Sequence, residues 1–170
     1  DHPQYFDMVF RDETAAEVRF FEQAFTRFAD GPVRRVLEPG CGSGRLVAAM
    51  AGKGYELTGV DLSQPMLDYL SKRLRRRGLN AELRCEDMTR MEFERQFDAA
   101  FCTFNTFRHL TDEKSAVMHL RNVASHLRPG GLYILGFHLI PLDADPECTE
   151  RWKAQHGGTT VHVTLKVIDF

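Results

Sequence analysis

The chain has 170 residues, 43% of them hydrophobic, which is enough to bury one sizeable core and too few for two full-size domains. Lys plus Arg number 22 against 24 for Asp plus Glu, a formal charge of -2, so no net positive field argues for nucleic acid or an anionic membrane surface. A neutral or small ligand fits better. Cys41, Cys85, Cys102 and Cys148 lie far apart with no Cys-x-x-Cys pair, which points to reduced thiols in a cytoplasmic setting and suggests neither a disulfide framework nor a metal site.

The first residues, Asp1-His2-Pro3, carry no initiator Met and no signal pattern, and no apolar run is long enough to span a bilayer, so the sequence reads as a soluble, trimmed chain. Apolar residues recur at three- and four-residue steps through Tyr5, Phe6, Val9 and Phe10, then Val18, Phe21, Phe25 and Phe28, and stop at Asp30-Gly31-Pro32. Two helices are expected there. Val33 to Glu38 reads as a strand, glycines follow, and Arg45 to Lys53 reads as an amphipathic helix capped by Gly54.

The pattern then repeats. Tyr55 to Val60 is a strand, Ser63 caps a helix with Pro65 in its first turn, and the basic run Lys72-Arg-Leu-Arg-Arg-Arg77 before Gly78 reads as a solvated helix end. A short strand is expected from Ala81 to Arg84 and a nearly continuous apolar one from Phe97 to Phe104, as for a strand buried on both faces. Thr111 with Asp112 and Glu113 opens a helix to about His126, and Arg128-Pro-Gly-Gly131 turns the chain into a strand from Leu132 to Leu139.

Strands separated by helices imply a parallel sheet covered on both faces, a Rossmann-like α/β layout whose ligand site lies beyond the carboxyl ends of the strands. Beyond Leu139, residues 141–158 read as irregular, and Thr160 to Phe170 alternates as a half-exposed antiparallel strand with no partner in view. The expected organisation is a cofactor-binding domain over residues 1–140, with lid helices in 1–30, and an incomplete β extension over 141–170.

Gly40, Gly42 and Gly44 fall between a strand and a helix, where missing side chains let the backbone turn sharply and approach a nucleotide-type ligand. The nicotinamide fingerprint Gly-x-Gly-x-x-Gly fails here: begun at Gly40 its last glycine falls on Arg45, and begun at Gly42 it falls on Val47. Glu38 just before the glycines would repel a pyrophosphate and suits an ammonium or sulfonium centre. Charge therefore favours S-adenosylmethionine over NAD.

The segment Val36-Leu-Glu-Pro-Gly-Cys-Gly-Ser-Gly44 resembles motif I of class I S-adenosylmethionine-dependent methyltransferases, and the likeness extends over about residues 33 to 140. The resemblance implies a doubly wound parallel sheet in the strand order 3-2-1-4-5. It also implies that Gly40, Cys41, Gly42 and Gly44 border the cofactor, with Glu38 toward its amino group. Gly59-Val-Asp-Leu-Ser63 places Asp61 as the ribose ligand, with Leu62 and Met66 beside it. Cys85-Glu-Asp-Met88 resembles the adenine site, where Asp87 would accept from the exocyclic amine and the Met88 amide would donate to the ring.

Phe101-Cys-Thr-Phe-Asn-Thr-Phe-Arg-His-Leu110 resembles the segment that opens toward the methyl acceptor. Phe104 fits two roles there, a wall of the cofactor site or a core aromatic. Tyr5 with Asp7 resembles a Tyr-Asp stretch that folds over the cofactor, Tyr5 also being compatible with simple packing. Such a reaction is in-line displacement at the sulfonium methyl, needing no protein nucleophile and a general base only if the acceptor must lose a proton. His109 and His138, near the ends of the fourth and fifth strands, are the candidates for that base. No Asn-Pro-Pro-Tyr run follows the fourth strand, which points to a small-molecule acceptor on a monomer or homodimer. A cofactor-binding regulatory module without turnover is the alternative, and an NAD-dependent oxidoreductase a further one.

Overall fold

A computed structural model describes residues 2–137 and 149–166. Five strands, β1 (Arg35–Pro39), β2 (Glu56–Asp61), β3 (Glu82–Cys85), β4 (Phe97–Cys102) and β5 (Leu127–Leu135), form one parallel sheet in the order β3-β2-β1-β4-β5. Three helices, α3 (Arg45–Ala51), α4 (Gln64–Arg76) and α5 (Glu113–His126), lie on crossover connections between these strands, while α1 (Pro3–Val9) and α2 (Thr14–Phe28) precede the sheet. Strand order reverses between β1 and β4, so the loops leaving these two strands diverge and open a cleft at their carboxyl ends.

Strand periodicity distributes the core. Val36, Ala99 and Phe101 face one side with Phe21 and Phe25 of α2, Leu46 and Met50 of α3, and Leu70 of α4. Leu37 and Ala100, one residue along, face the other side with Val60, Phe97 and Val123 of α5. All six residues of β4 are buried, as covering both faces requires. The rings of Phe21 and Phe101 stack with centroids 4.5 Å apart, anchoring α2 on the sheet; full burial of such a side chain is worth about 2 to 3 kcal/mol.

Several elements depart from the expectation. The Arg128-Pro-Gly-Gly131 segment lies inside β5, because Leu127 already pairs with Phe97; the register then jumps so that Leu132 pairs with Ala99, and the intervening residues bulge. Residues 149–156, expected to be irregular, form β6 (Thr149–His156), antiparallel to β7 (Thr159–Lys166). The last strand therefore has a partner. α3 ends at Ala51 with Gly52 at its C-cap, although Gly54 does adopt a left-handed φ of +94°. Ser63 occupies the N-cap of α4 but its side chain makes no capping bond. The basic run is only partly solvated: Arg73 pairs with buried Asp7 at 2.5 Å, and Arg77 reaches the Ala48 carbonyl at 3.5 Å. Leu139, Cys148 and residues 167–170 lie outside the described residues. Among the described residues no helix is long and apolar enough to cross a membrane.

At the opposite end of the sheet from the cleft, Asp98 of β4 ties three segments. Its Oδ2 accepts the amides of Arg34 and Arg35 at 2.9 and 2.8 Å, and its Oδ1 accepts Arg128 Nε at 2.8 Å. Burial pushes the carboxyl up, but the amides of Arg35 and Arg34 and the Arg128 guanidinium outweigh it and hold it below the usual aspartate range. Such a group stabilises the fold above the aspartate range and loses that contribution as pH falls through its lowered value. Asp98→Asn is expected to cost about 2 to 3 kcal/mol in urea unfolding at neutral pH, with the gap to wild type narrowing in acid. An equal gap at both pH values would show that the charge contributes nothing.

Candidate functional site

The glycine loop joins β1 to α3, and its glycines serve different needs. Gly40, Gly42 and Gly44 have φ of +68°, +52° and +67°, a region side chains disfavour. A Cβ on Gly40 would lie 2.2 Å from Thr106 Cγ2, and one on Gly44 would lie 2.2 Å from Leu70 Cδ1, so both are needed for close packing. Around Gly42 no atom lies within 4 Å of such a Cβ, and this backbone faces open space.

Asp61, at the end of β2, clamps the loop. Its Oδ2 accepts the Gly42 amide at 2.7 Å and its Oδ1 the Ser63 amide at 2.9 Å, while the Cys41 amide donates to the Val60 carbonyl at 2.9 Å. Each carboxylate oxygen keeps a second lone pair for a ligand.

Above the loop lies a cleft of about 330 Å³. Of the residues expected at the site, Glu38, Gly40, Cys41, Gly42, Asp61, Leu62, Met66, Met88, Phe104 and His109 line it. Gly44 lies behind the loop against Leu70. Tyr5 is 41% exposed and stacks near His2, and Phe6, the next residue, is the one that lines the cleft. Asp87 is turned into its own loop, where Oδ1 accepts both the amide and the hydroxyl of Thr89 at 2.8 Å; these bonds pull its carboxyl below the usual range, and Glu86 lines the cleft in its place. His138 lies outside the described residues.

Ser43, Arg45, Leu46, Thr103 and Thr106 also line the cleft, none of them singled out by the sequence. Thr106 had a readable signal in retrospect only through Gly40, whose missing side chain it fills. Phe104 belongs to neither strand nor core as expected: β4 stops at Cys102, and Phe104 and Asn105 take positive φ of 57° and 61°. Two consecutive left-handed non-glycine residues cost about 1 to 3 kcal/mol each. That strained turn leads into a short 3-10 helix, Thr106–His109, which carries Thr106 and His109 to the cleft.

Charge in the cleft is unbalanced. Glu38 is buried at 6% exposure and its Oε2 has no hydrogen-bond partner. Burial pushes its carboxyl well above the usual range, with Arg45 opposing and Glu17 adding to the rise. Arg45, itself 6% exposed, is held by Glu17 and by Thr14 Oγ1 at 2.9 Å, and its guanidinium lies 4.9 Å over the Phe104 ring. The Cys41 thiol is pushed well up by burial and by the charges of Glu38 and Asp61, so it stays protonated and is no nucleophile. An unpaired buried carboxylate oxygen beside an open glycine backbone calls for a cationic donor, and a second anion such as pyrophosphate would be repelled.

Residues 36–131 match a family model described as a methyltransferase domain. The chain belongs to this family of S-adenosylmethionine-dependent, Rossmann-like methyltransferases. It is 33% identical over 126 residues to a cypemycin N-terminal methyltransferase of a Streptomyces species, covering 74% of this chain and 46% of that protein. The chain thus spans about half the length of the curated relatives it matches.

Among solved structures, Streptomyces venezuelae DesVI superposes with a TM-score of 0.82 at 22% identity, covering 96% of this chain and 69% of that one, a likeness of fold. The glycopeptide N-methyltransferase MtfA in complex with S-adenosylhomocysteine gives a TM-score of 0.64 at 26% identity, covering 91% of this chain and 64% of that one. The methyltransferase cofactor carries an α-ammonium group and a ribose diol, and the donor set fits it: an orphaned Glu38 oxygen for the cation and free lone pairs on Asp61 for the hydroxyls.

A linkage follows from the buried Glu38. In the free methyltransferase the raised carboxyl keeps its proton above the ordinary glutamate range; an ammonium placed beside it stabilises the anion, so binding expels the proton. Affinity for S-adenosylhomocysteine is therefore expected to strengthen as pH rises from the ordinary glutamate range toward the raised value, then to level off. Calorimetry in two buffers of different ionisation enthalpy is expected to show release of up to about one proton per ligand, abolished in Glu38→Gln. Identical proton release in that variant would assign it elsewhere.

Proposed function

We propose that the protein binds S-adenosylmethionine across Glu38, Gly42 and Asp61 and transfers its methyl group to an amine nitrogen of a small-molecule acceptor. The observation that carries the reading is the unpartnered Oε2 of buried Glu38, a residue that lines a glycine-bordered cleft in a methyltransferase-family chain. The choice of nitrogen draws on the glycopeptide N-methyltransferase to which the chain is similar, and on the carboxylates of Asp61 and Glu86 in the cleft, which favour cationic over anionic ligands.

Bound S-adenosylmethionine would supply a methyl group already activated by its sulfonium: the acceptor's lone pair would bond to the methyl carbon as the carbon–sulfur bond breaks, with S-adenosylhomocysteine as the leaving group. The protein's task is then to bind, orient and exclude water. Asp61 accepts the ribose hydroxyls with the lone pairs its backbone contacts leave free. Gly42 lets the chain approach without a side chain between. Phe6 and Phe104 wall the acceptor end and shield the reacting centre from water. His109, which lines the same end, takes the proton that an ammonium acceptor must shed before its lone pair can attack.

The test begins with calorimetry against S-adenosylhomocysteine and NAD, followed by incubation with labelled S-adenosylmethionine and a panel of amines, hydroxyl compounds and carbon acids. Label on amines supports the proposal. NAD binding alone would sink it, and tight S-adenosylhomocysteine binding with no labelled product would favour a regulatory module. Asp61→Asn turns an amide toward two backbone N–H groups and is expected to weaken S-adenosylhomocysteine by about 10- to 100-fold, roughly 1.5 to 3 kcal/mol. Unchanged affinity would remove Asp61 from the ribose site. His109→Asn is expected to lower kcat with an amine by about 100-fold and leave S-adenosylhomocysteine affinity in place.

A further inference from the structure

His119 is fully buried on α5, on the face that carries Val123 into the core, where an apolar side chain of similar volume would fill the space at lower desolvation cost. Both ring nitrogens are engaged. Nδ1 lies 2.9 Å from the Met88 carbonyl oxygen, which can only accept, so Nδ1 carries the proton. Nε2 lies 2.5 Å from the Tyr133 hydroxyl on β5, which donates to it. Burial lowers the imidazole's proton affinity and raises that of Tyr133, so both stay neutral, and the buried Cys102 thiol at the end of β4, within bonding reach of Tyr133, is pushed up to about 12.

Outside the sheet, His119 touches Met88, which lines the cleft, and Phe107, whose neighbours Thr106 and His109 line it. Met88, whose carbonyl it holds, lines the end beyond β3. Its ring also packs against Phe107, with centroids 5.5 Å apart, and Phe107 belongs to the Thr106–His109 turn that lines the end beyond β4. Met88 belongs to no helix or strand; the turn it sits in is otherwise closed by Arg90 N–H on the Asp87 carbonyl at 2.9 Å and by the Asp87 carboxylate on Thr89.

We infer that His119, which contacts no ligand itself, is a positioning residue that sets base selectivity: its Nδ1–H holds the Met88 carbonyl and thereby fixes the backbone of residue 88, whose own N–H lies in the preceding peptide, at the β3 end of the cleft. This rests on the reading that the cofactor's adenine lies at that end, its ring accepting from the Met88 amide. An inosine ring carries a proton where adenine presents that acceptor, so a peptide held in place discriminates between the two, and a loosened one does not.

The test compares His119→Asn, whose amide stands where Nδ1–H stands, with His119→Gln, whose amide reaches the Nε2 position and leaves the Met88 carbonyl unserved. Affinities for S-adenosylhomocysteine and S-inosylhomocysteine are measured beside the thermal midpoint of each variant. The Gln variant is expected to lose about tenfold in S-adenosylhomocysteine affinity and most of the adenine preference, and the Asn variant to recover to within about threefold of wild type. Equal losses in both variants, or an adenine preference unchanged in the Gln variant, would overturn the inference.

Nitrogen NMR of the wild-type protein provides a check that needs no variant: His119 is expected as the Nδ1–H tautomer, its resonance moving when S-adenosylhomocysteine binds, and an Nε2–H tautomer would overturn the assignment. A wild type that binds no S-adenosylhomocysteine fails the cofactor reading and takes this inference with it; normal binding with no Asn–Gln difference fails the positioning role alone.

Discussion

The cleft depends on one carboxylate holding two backbone amides. Asp61 stands at the last position of β2 and accepts from Gly42 in the loop after β1 and from Ser63 at the start of α4. Without it the glycine loop would have three residues of positive φ held by the backbone bonds from Cys41 to Val60 and from Gly44 to Cys41, with nothing on the amide of Gly42. With it the loop is pressed against Thr106 on one side and Leu70 on the other, and the open side of Gly42 faces the cleft. The same oxygens retain lone pairs, so the group that shapes the loop is also one that a ligand meets. That double use explains why a charged residue is tolerated at a half-buried strand end: its desolvation is offset by the amides before any ligand arrives.

A second constraint is the burial of opposite charges deeper in the site. Glu38 and Arg45 are both almost inaccessible, yet Arg45 is committed to Glu17 and Thr14 on α2, leaving one Glu38 oxygen without a partner. Arg45 thereby locks α2 to the start of α3, while burial raises the Glu38 carboxyl so that it holds a proton rather than an unpaired charge.

How far the sequence speaks follows from the range of each interaction. The five core strands and their order, the glycine loop, Glu38 and Asp61 were readable because each depends on local spacing or on a strand-end position that a family resemblance carries over. Phe6 and Thr106 were not readable, since what brings them to the cleft is the docking of α1 and the turn after β4, which no spacing along the chain encodes; Glu86 follows β3 and lines the cleft because Asp87 turns into its own loop, and Arg45 opens α3 directly after the glycines. Tyr5 was expected where Phe6 stands because one helical residue is about 100° of rotation. β6 was missed because its alternation is almost wholly polar, Thr149 to His156 holding Trp152 and Ala154 as its apolar positions. The pair Gly157-Gly158 between two alternating runs was the available signal, being a favoured two-residue hairpin turn.

The two ends of the described chain meet beside the cleft, and this bears on where specificity is built. Asp7 of α1 is 4% exposed and paired with Arg73 of α4, so α1 is fastened to α4, the helix that follows Asp61. α1 also packs on β6 and β7, where Arg11 donates to His156 at 3.1 Å, and Phe10 stands between Phe6, Phe104 and Trp152 at centroid distances of 4.7, 4.6 and 6.3 Å. An aromatic chain therefore runs from the hairpin to the cleft wall. The end of the cleft bounded by Glu38, Asp61 and Met88 is made from strand ends whose geometry the sheet dictates. The opposite end is walled by side chains from α1, seated on β6–β7, and from the turn after β4, none of which the parallel sheet constrains. Substitutions there can reshape that end of the cleft at little cost to the core, and the end set by the sheet has no such freedom.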